Sequence, residues 1–175
     1  DVYKRQGLND SIFRKSIVLV CDHDENGAMG LIVNKPIIPD GDKSSFLKDI
    51  FTNMNINSKV YFGGPVDIQN CFVLHDNSYN SNETIELSSG ISLTSNESIL
   101  EDIKNNTGPK KYKINMGYSG WDKGQLEDEI KNGDWLLKPV TKDFIFDIPD
   151  KNMWEFSTLD LGFDRNNYMG KSGQA

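Results

Sequence analysis

The 175-residue sequence predicts a single compact α+β domain, and three observations carry that expectation. Apolar runs of strand length recur between Gly, Asn and Asp turns. Segments with apolar residues at helical spacing are short and fall among these runs without a fixed order. The regular strand–helix alternation of a doubly wound parallel sheet is missing over the first 45 residues and again from 59 to 94.

The opening residues, Asp1-Val2-Tyr3-Lys4-Arg5-Gln6, look like the translation of a transposon end used in preparing sequencing libraries. They are expected to be a scar outside the fold, leaving residues 7 to 175 as one domain without linker or internal repeat. Ile17 to Cys21 and Met29 to Val33 are apolar at nearly every position, which predicts strands covered on both faces. Asn26-Gly27 between them tolerates positive φ and predicts a hairpin. Pro36 and Pro39 break the chain. Ser44 or Ser45 then caps a helix on which Phe46, Leu47, Ile50, Phe51 and Met54 share a face. Lys59 to Phe62 reads as a strand ended by Gly63-Gly64-Pro65, and Cys71 to His75 as another. Asp76 to Asn82, rich in Asn and Ser, reads as an exposed loop.

Short strands follow at Thr84 to Leu87 and Ile91 to Thr94. Ser95 or Asn96 caps a helix carrying Ile99, Leu100 and Ile103, which Gly108-Pro109 terminates. Tyr112, Ile114, Met116 and Tyr118 alternate along a strand. Gly120-Trp121-Asp122-Lys123-Gly124 leads into a helix from Gln125 to Lys131, stopped by Gly133. Strands near Trp135 to Leu137 and Phe144 to Phe146, and a last helix from about Asp150 to Leu161, complete the chain.

Composition excludes several function classes. The formal net charge is −7 and the isoelectric point about 4.8, whereas a nucleic-acid grip needs a basic face. Arginine, which supplies the bidentate fork for phosphates and guanine edges, occurs at Arg5, Arg14 and Arg165 alone. Abundant Lys and Asn with little Arg is also what an AT-rich genome produces. Mean hydropathy is −0.54, and no apolar run approaches the roughly 20 residues of a membrane-spanning helix. Two cysteines make no disulfide scaffold, so a cytoplasmic, reducing setting is expected.

Candidate chemistry is sparse. Cys21-x-His23 and Cys71-x-x-x-His75 would offer four ligands if their strands were neighbours, but neither spacing is that of a zinc knuckle. No metal and no cofactor are expected. His75 ends an apolar strand, where an imidazole can act as general base or hydrogen-bond a substrate, or be a satisfied strand-end histidine. Gly170-Lys171-Ser172 lacks the upstream glycine of a phosphate-binding loop. Gly63-Gly64-Pro65 and Ser119-Gly120-Trp121 read as Gly-rich loops directly after strands, and the second opens a helix whose amides could hold an anion. The competing reading is backbone necessity, with Trp121 as a core plug. Gly63, Gly64, Pro65, His75, Ser119, Gly120 and Trp121 are therefore the candidate ligand-binding residues; no catalytic residue is assigned.

Taken together, several segments resemble the YqgE/AlgH family of bacterial proteins. They are Phe13, Ser16 to Leu19, Cys21 to Asn34 with its Gly27-Ala28-Met29-Gly30-Leu31 core, and Pro36. Gly63-Gly64-Pro65-Val66, Phe72-Val73-Leu74-His75 and Gly108-Pro109 continue the pattern. Gly117-Tyr118-Ser119-Gly120-Trp121, Gly124-Gln125-Leu126-Glu127, Phe146-Asp147, Trp154 and Leu161-Gly162 complete it. The resemblance implies a bifurcated mixed β-sheet forming a pseudo-barrel with flanking short helices. It also implies an additional first strand ending in Met-Pro, whose absence would leave one sheet edge unpaired. The family commonly ends in Gly-His-Ala, where this chain has Gly173-Gln174-Ala175. Its members are often labelled transcriptional regulators, although no helix-turn-helix stands out here.

The expected function is that of a non-enzymatic regulatory or binding protein. Its partners would be a protein or a small ligand, rather than nucleic acid or membrane. The rival is an enzyme with His75 as base beside an anion-binding Gly-rich loop.

Overall fold

The computed structural model describes residues 2–4, 12–37, 58–88 and 90–159. The expected helix near residues 46 to 54 and the last residues of the C-terminal helix lie outside them. Among the described residues no helix is long and apolar enough to cross a membrane.

The hairpin forms as read. β2 (Ile17–Asp24) and β3 (Gly27–Ile32) pair antiparallel, and β1 (Val2–Lys4) lies against β2. The Asp24 carboxylate accepts from the Asn26 amide at 2.7 Å and closes the turn. Ile17 packs in one apolar cluster and Val18 in another, so the strand is covered on both faces. A bulge between Val20 and Asp22 leaves Cys21 without a ladder partner.

Three further strands follow, β4 (Val60–Phe62), β5 (Val66–His75) and β6 (Thr84–Ser88), and then β7 (Ile91–Thr94). The spine of the sheet is β8 (Tyr112–Asp122), with β9 (Trp135–Leu137) at the far edge. Strand order is β6-β7-β5-β8-β3-β2-β1-β9, with β4 also on β8. One side of β8 carries β5 along Tyr112 to Tyr118. Its other side divides: Ile114 to Met116 take β4 in parallel, and Ser119 to Asp122 take β3 antiparallel. The wedge is closed by backbone bonds from Ile32 N to Gly63 O, Phe62 N to Lys35 O and Ile37 N to Val60 O. This fork curls the sheet into a nearly closed barrel, the bifurcated mixed sheet that the family resemblance implies.

Among the described residues four short helices flank it: α1 (Ser98–Lys104), α2 (Gln125–Lys131), α3 (Lys142–Asp147) and α4 (Asp150–Leu159). Ile99 of α1 packs with Val60, Val73, Ile114 and Met116. Leu126 of α2 packs with Val18, Ile32, Trp121 and Trp135. Ile145 of α3 and Met153 of α4 join Ile17, Leu19, Leu31 and Leu74.

Three expectations need correction. Phe144 to Phe146 is helix α3, not strand: Thr141 Oγ1 accepts from Phe144 N at 3.2 Å, and this cap outweighs the β preference of a Phe-Ile-Phe triplet. Ser119-Gly120-Trp121 is not a loop but the last third of β8, held there by pairing with β3. β5 begins at Val66, five residues before the expected start, and reaches Cys71 through a register shift. Val2–Lys4, set aside on sequence grounds, occupies a strand position between β2 and β9. Ladder bonds are made by backbone groups, so almost any short extended segment can fill such a slot.

Candidate functional site

The two Gly-rich segments do meet, and they meet backbone to backbone. Gly63 N donates to Met116 O at 2.8 Å, and Ser119 Oγ donates to Gly63 O at 3.3 Å. A Cβ on Gly64, whose φ is +156°, would lie 2.1 Å from the Tyr118 carbonyl carbon. Gly63, Gly64 and Ser119 are buried, and Pro65 is exposed. The glycines therefore allow a close crossing, and no ligand-sized space opens between them. Trp121 is a core plug whose Nε1 donates to Glu129 at 3.1 Å. Gly120 and Trp121 do edge a shallow recess of about 540 Å³, together with Asp22, Asp24, Met29, Tyr118 and Asp122. No buried charge lines that recess.

His75 stands elsewhere. Its β8 partner is Tyr112, five residues or roughly 17 Å of strand from Gly117. The ring is fully buried. Nδ1 lies 2.8 Å from the Asp76 carbonyl, which can only accept, so Nδ1 carries the proton. Nε2 then accepts from Thr94 Oγ1 at 2.9 Å. Thr94 in turn accepts from Thr84 Oγ1 at 2.8 Å. Burial pushes the imidazole below its ordinary value, although the Asp76 carbonyl and carboxylate oppose this. His75 is a neutral core residue with both nitrogens engaged.

The thiols and imidazoles do not converge. Among the described residues no group of three or more His, Cys, Asp or Glu is placed to hold a metal. His23 is at the hairpin tip, 2.7 Å from Glu127. Burial pushes the Cys21 and Cys71 thiols up to about 12, which leaves both as unreactive small apolar groups.

The richest polar constellation is one that no motif announced. Lys113 and Asn115 lie on the face of β8 opposite Ile114 and Met116, and both are buried. Asn115 Nδ2 donates to Ile32 O at 2.8 Å, while its Oδ1 is buried without a partner among the described residues. Lys113 Nζ donates to Val33 O at 2.7 Å and to Asp150 Oδ1 at 2.8 Å. It also sits 4.4 Å from the centre of the Tyr61 ring. Asp150 Oδ2 accepts from Tyr61 Oη at 3.1 Å and from Lys59 Nζ at 3.3 Å.

Burial works against both charges of the pair. In Lys113 it prevails, and the ammonium lies below its ordinary value despite Asp150. In Asp150 the bonds and charges of Lys113 and Lys59 prevail, and the carboxyl lies below its ordinary value. The lysine, 5% exposed against 12%, is the more strained partner. Burial, followed by the neighbouring carboxylate, raises the Tyr61 hydroxyl, which stays protonated.

This cluster floors a cleft of about 700 Å³. β4 supplies Tyr61, β8 supplies Tyr112 and Lys113, α3 supplies Phe146 and Asp147, the α3–α4 link supplies Ile148 and Pro149, and α4 supplies Asp150 and Lys151. The volume lies within the range of small-molecule sites. A mixed lining around a satisfied ion pair suits recognition. Among the described lining residues no nucleophile–base pair is assembled.

The family model described as AlgH-like matches residues 2–166. A UPF0301 protein of Saccharophagus degradans is 38% identical over 176 residues, covering 97% of this chain and 84% of its own length. One from Shewanella woodyi is 36% identical over 174 residues, covering 96% and 92%. In three dimensions the chain is similar to the solution structure of the AlgH protein from Pseudomonas aeruginosa. The TM-score is 0.73 at 28% identity, over 99% of this chain and 93% of that one. A crystal structure of a Corynebacterium diphtheriae protein shares the fold, with a TM-score of 0.68 at 19% identity over 89% and 82%.

Proposed function

The chain belongs to the AlgH-like family, and on that premise we propose that it is a non-enzymatic binding protein whose small ligand occupies the cleft above Lys113 and Asp150. The observation that carries this reading is the pair itself. A buried ammonium paired with a part-buried carboxylate at the floor of an open cleft is costly to keep, and here every donor of Lys113 is already engaged within the fold. Such a group shapes a site and holds it rigid, and it does not react. The Gly-rich crossing of Gly63 and Gly64 with Ser119 supports the same site at one remove by fixing β4 against β8.

Catalysis with His75 as base finds no support in the geometry, because the ring is inside the core and its Nε2 lone pair is taken. Direct DNA contact finds none in the charge of −7. Thermal-shift screening against a metabolite library, with hits mapped by amide chemical shifts, tests the reading. A true ligand at one hundred times its Kd stabilises by about 2.7 kcal/mol and moves the amides of Tyr112, Phe146 and Lys151. Chemical turnover of a hit, or hits that map only to other surfaces, would sink the proposal.

A further inference from the structure

Resting on the cleft reading above, we infer that the ligand is a small organic anion: a carboxylate or phosphate group carried on an apolar body. Three lysines, Lys59, Lys113 and Lys151, line the cleft against two carboxylates, Asp147 and Asp150. Both carboxylates are already neutralised from within the protein. Asp147 accepts twice from Lys111 Nζ at 2.6 Å, and Asp150 is held by Lys113, Lys59 and the Tyr61 hydroxyl. The ammonium charge of the cleft therefore exceeds its carboxylate charge, in a chain whose net charge is −7. A local reversal of sign inside an acidic protein is a field that selects anions and repels cations.

The positions of the cations say where the anionic group would sit. Lys113 has no donor to spare, since Val33, Asp150, Met153 and the Tyr61 ring surround its ammonium. Lys59 is 71% exposed and reaches Asp150 at 3.3 Å, so it can turn toward a ligand without breaking the Lys113–Asp150 pair. Lys151 is exposed on the first turn of α4, where the helix dipole adds to its attraction for an anion. The apolar body would lie against Tyr112, Phe146 and Ile148, which are half-buried, and against Pro36 and Pro149 at the rim. Lys113 and Asp150 position this arrangement and do not touch the ligand.

Four probes of one shape separate charge from cavity: phenylacetate, phenyl phosphate, phenethylamine and phenethyl alcohol. Each is titrated into the full chain while amide chemical shifts are recorded. The expected result is saturable movement of Tyr112, Phe146 and Lys151 amides with one or both anions and none with the amine. Affinity should weaken as salt rises, and by about tenfold in Lys59→Ala/Lys151→Ala, two exposed residues whose loss leaves the core intact. Whether the carboxylate or the phosphate binds tighter assigns the head group. Equal or stronger cleft binding by the amine or the alcohol would overturn the anionic class and leave the cleft as the site. Movement confined to other surfaces with all four probes would overturn both.

Discussion

Lys113 Nζ lies 2.8 Å from Asp150 Oδ1, joining the central strand β8 to the first turn of α4 across 37 residues of chain. The bond does three things at once. It neutralises a buried ammonium with a part-buried carboxylate, seats α4 over the apolar cluster through Met153, and fixes the floor of the cleft.

Replacing one partner leaves the other charge stranded. Lys113→Met is expected to destabilise by about 3 kcal/mol, the low end for breaking a buried pair, because Tyr61 and Lys59 still reach Asp150. Asp150→Asn should cost a similar amount. In Lys113→Met/Asp150→Asn the two losses should fall well short of additive, since the second substitution removes a charge the first had orphaned. Urea unfolding of the four proteins measures this, and simple additivity would show that the pair is not coupled.

His75 gives the pH dependence. Its folded-state pKa lies below the ordinary 6.5, so the unfolded chain binds the proton more readily. The contribution is complete above pH 6.5 and is lost as pH falls toward the folded value. Stability should therefore decline below about pH 6.5 before the carboxylates begin to titrate near 4. His75→Gln keeps an acceptor and a donor but cannot take up a proton, so its stability should be flat across that interval. His75→Leu should cost about 2 kcal/mol, because the Asp76 carbonyl loses its ring donor and the Thr94 hydroxyl is left with Thr84 alone of its two partners. A variant with the same slope between pH 6.5 and 5 as the natural sequence would assign the effect to another group.

How legible all this was follows from which forces are local. The β2–β3 hairpin was readable because Asn26-Gly27 and two apolar runs lie within 17 residues of one another. α3 was misread because its Phe-Ile-Phe triplet has a strand's composition, and only the Thr141 hydroxyl and the burial of Ile145 tip it to helix. The alternation of Tyr112, Ile114, Met116 and Tyr118 identified β8 correctly. It also put Lys113 and Asn115 on the face that is ordinarily wet. Nothing local says that Ile32 and Val33, some 80 residues earlier, bring their carbonyls to that face. A lysine and an asparagine inside a strand between apolar neighbours was the one available signal. The glycines were seen, but their purpose is a backbone crossing that depends on the fork in the sheet.

That crossing makes a sharp comparison among glycines. Gly64→Ala would place a Cβ 2.1 Å from the Tyr118 carbonyl carbon with φ at +156°. Backbone cannot yield as a side chain can, so a loss of more than about 4 kcal/mol, or failure to fold, is expected. Gly124→Ala also has positive φ, +75°, but meets nothing within 4 Å, so only the left-handed strain of about 1 kcal/mol remains. Gly120→Ala, with its nearest contact at 3.4 Å, should lie within about 0.5 kcal/mol of the parent. Thermal unfolding of the three ranks them, and a Gly64 variant as stable as Gly120→Ala would contradict the crossing.

Glu129 offers the last test, because one oxygen serves two indoles. Its Oε2 accepts from Trp121 Nε1 at 3.1 Å and from Trp135 Nε1, and the two rings meet edge to face at 5.8 Å. Oε1 accepts from Gln125 Nε2 at 3.0 Å. The carboxylate thus ties α2 to both β8 and β9. Glu129→Ala leaves two largely buried indole donors without this acceptor, at about 1 to 3 kcal/mol for such a loss. Glu129→Gln retains one carbonyl oxygen, which can face the indoles only by turning its amide toward Gln125. Its loss should be smaller, with Trp fluorescence and near-ultraviolet dichroism close to those of the parent. The alanine variant should shift both signals, since the rings lose the group that sets their mutual angle. If Glu129→Ala matches the parent in stability and in both spectra, the indoles are held by apolar packing with Val18, Ile32 and Leu126 and the carboxylate is incidental.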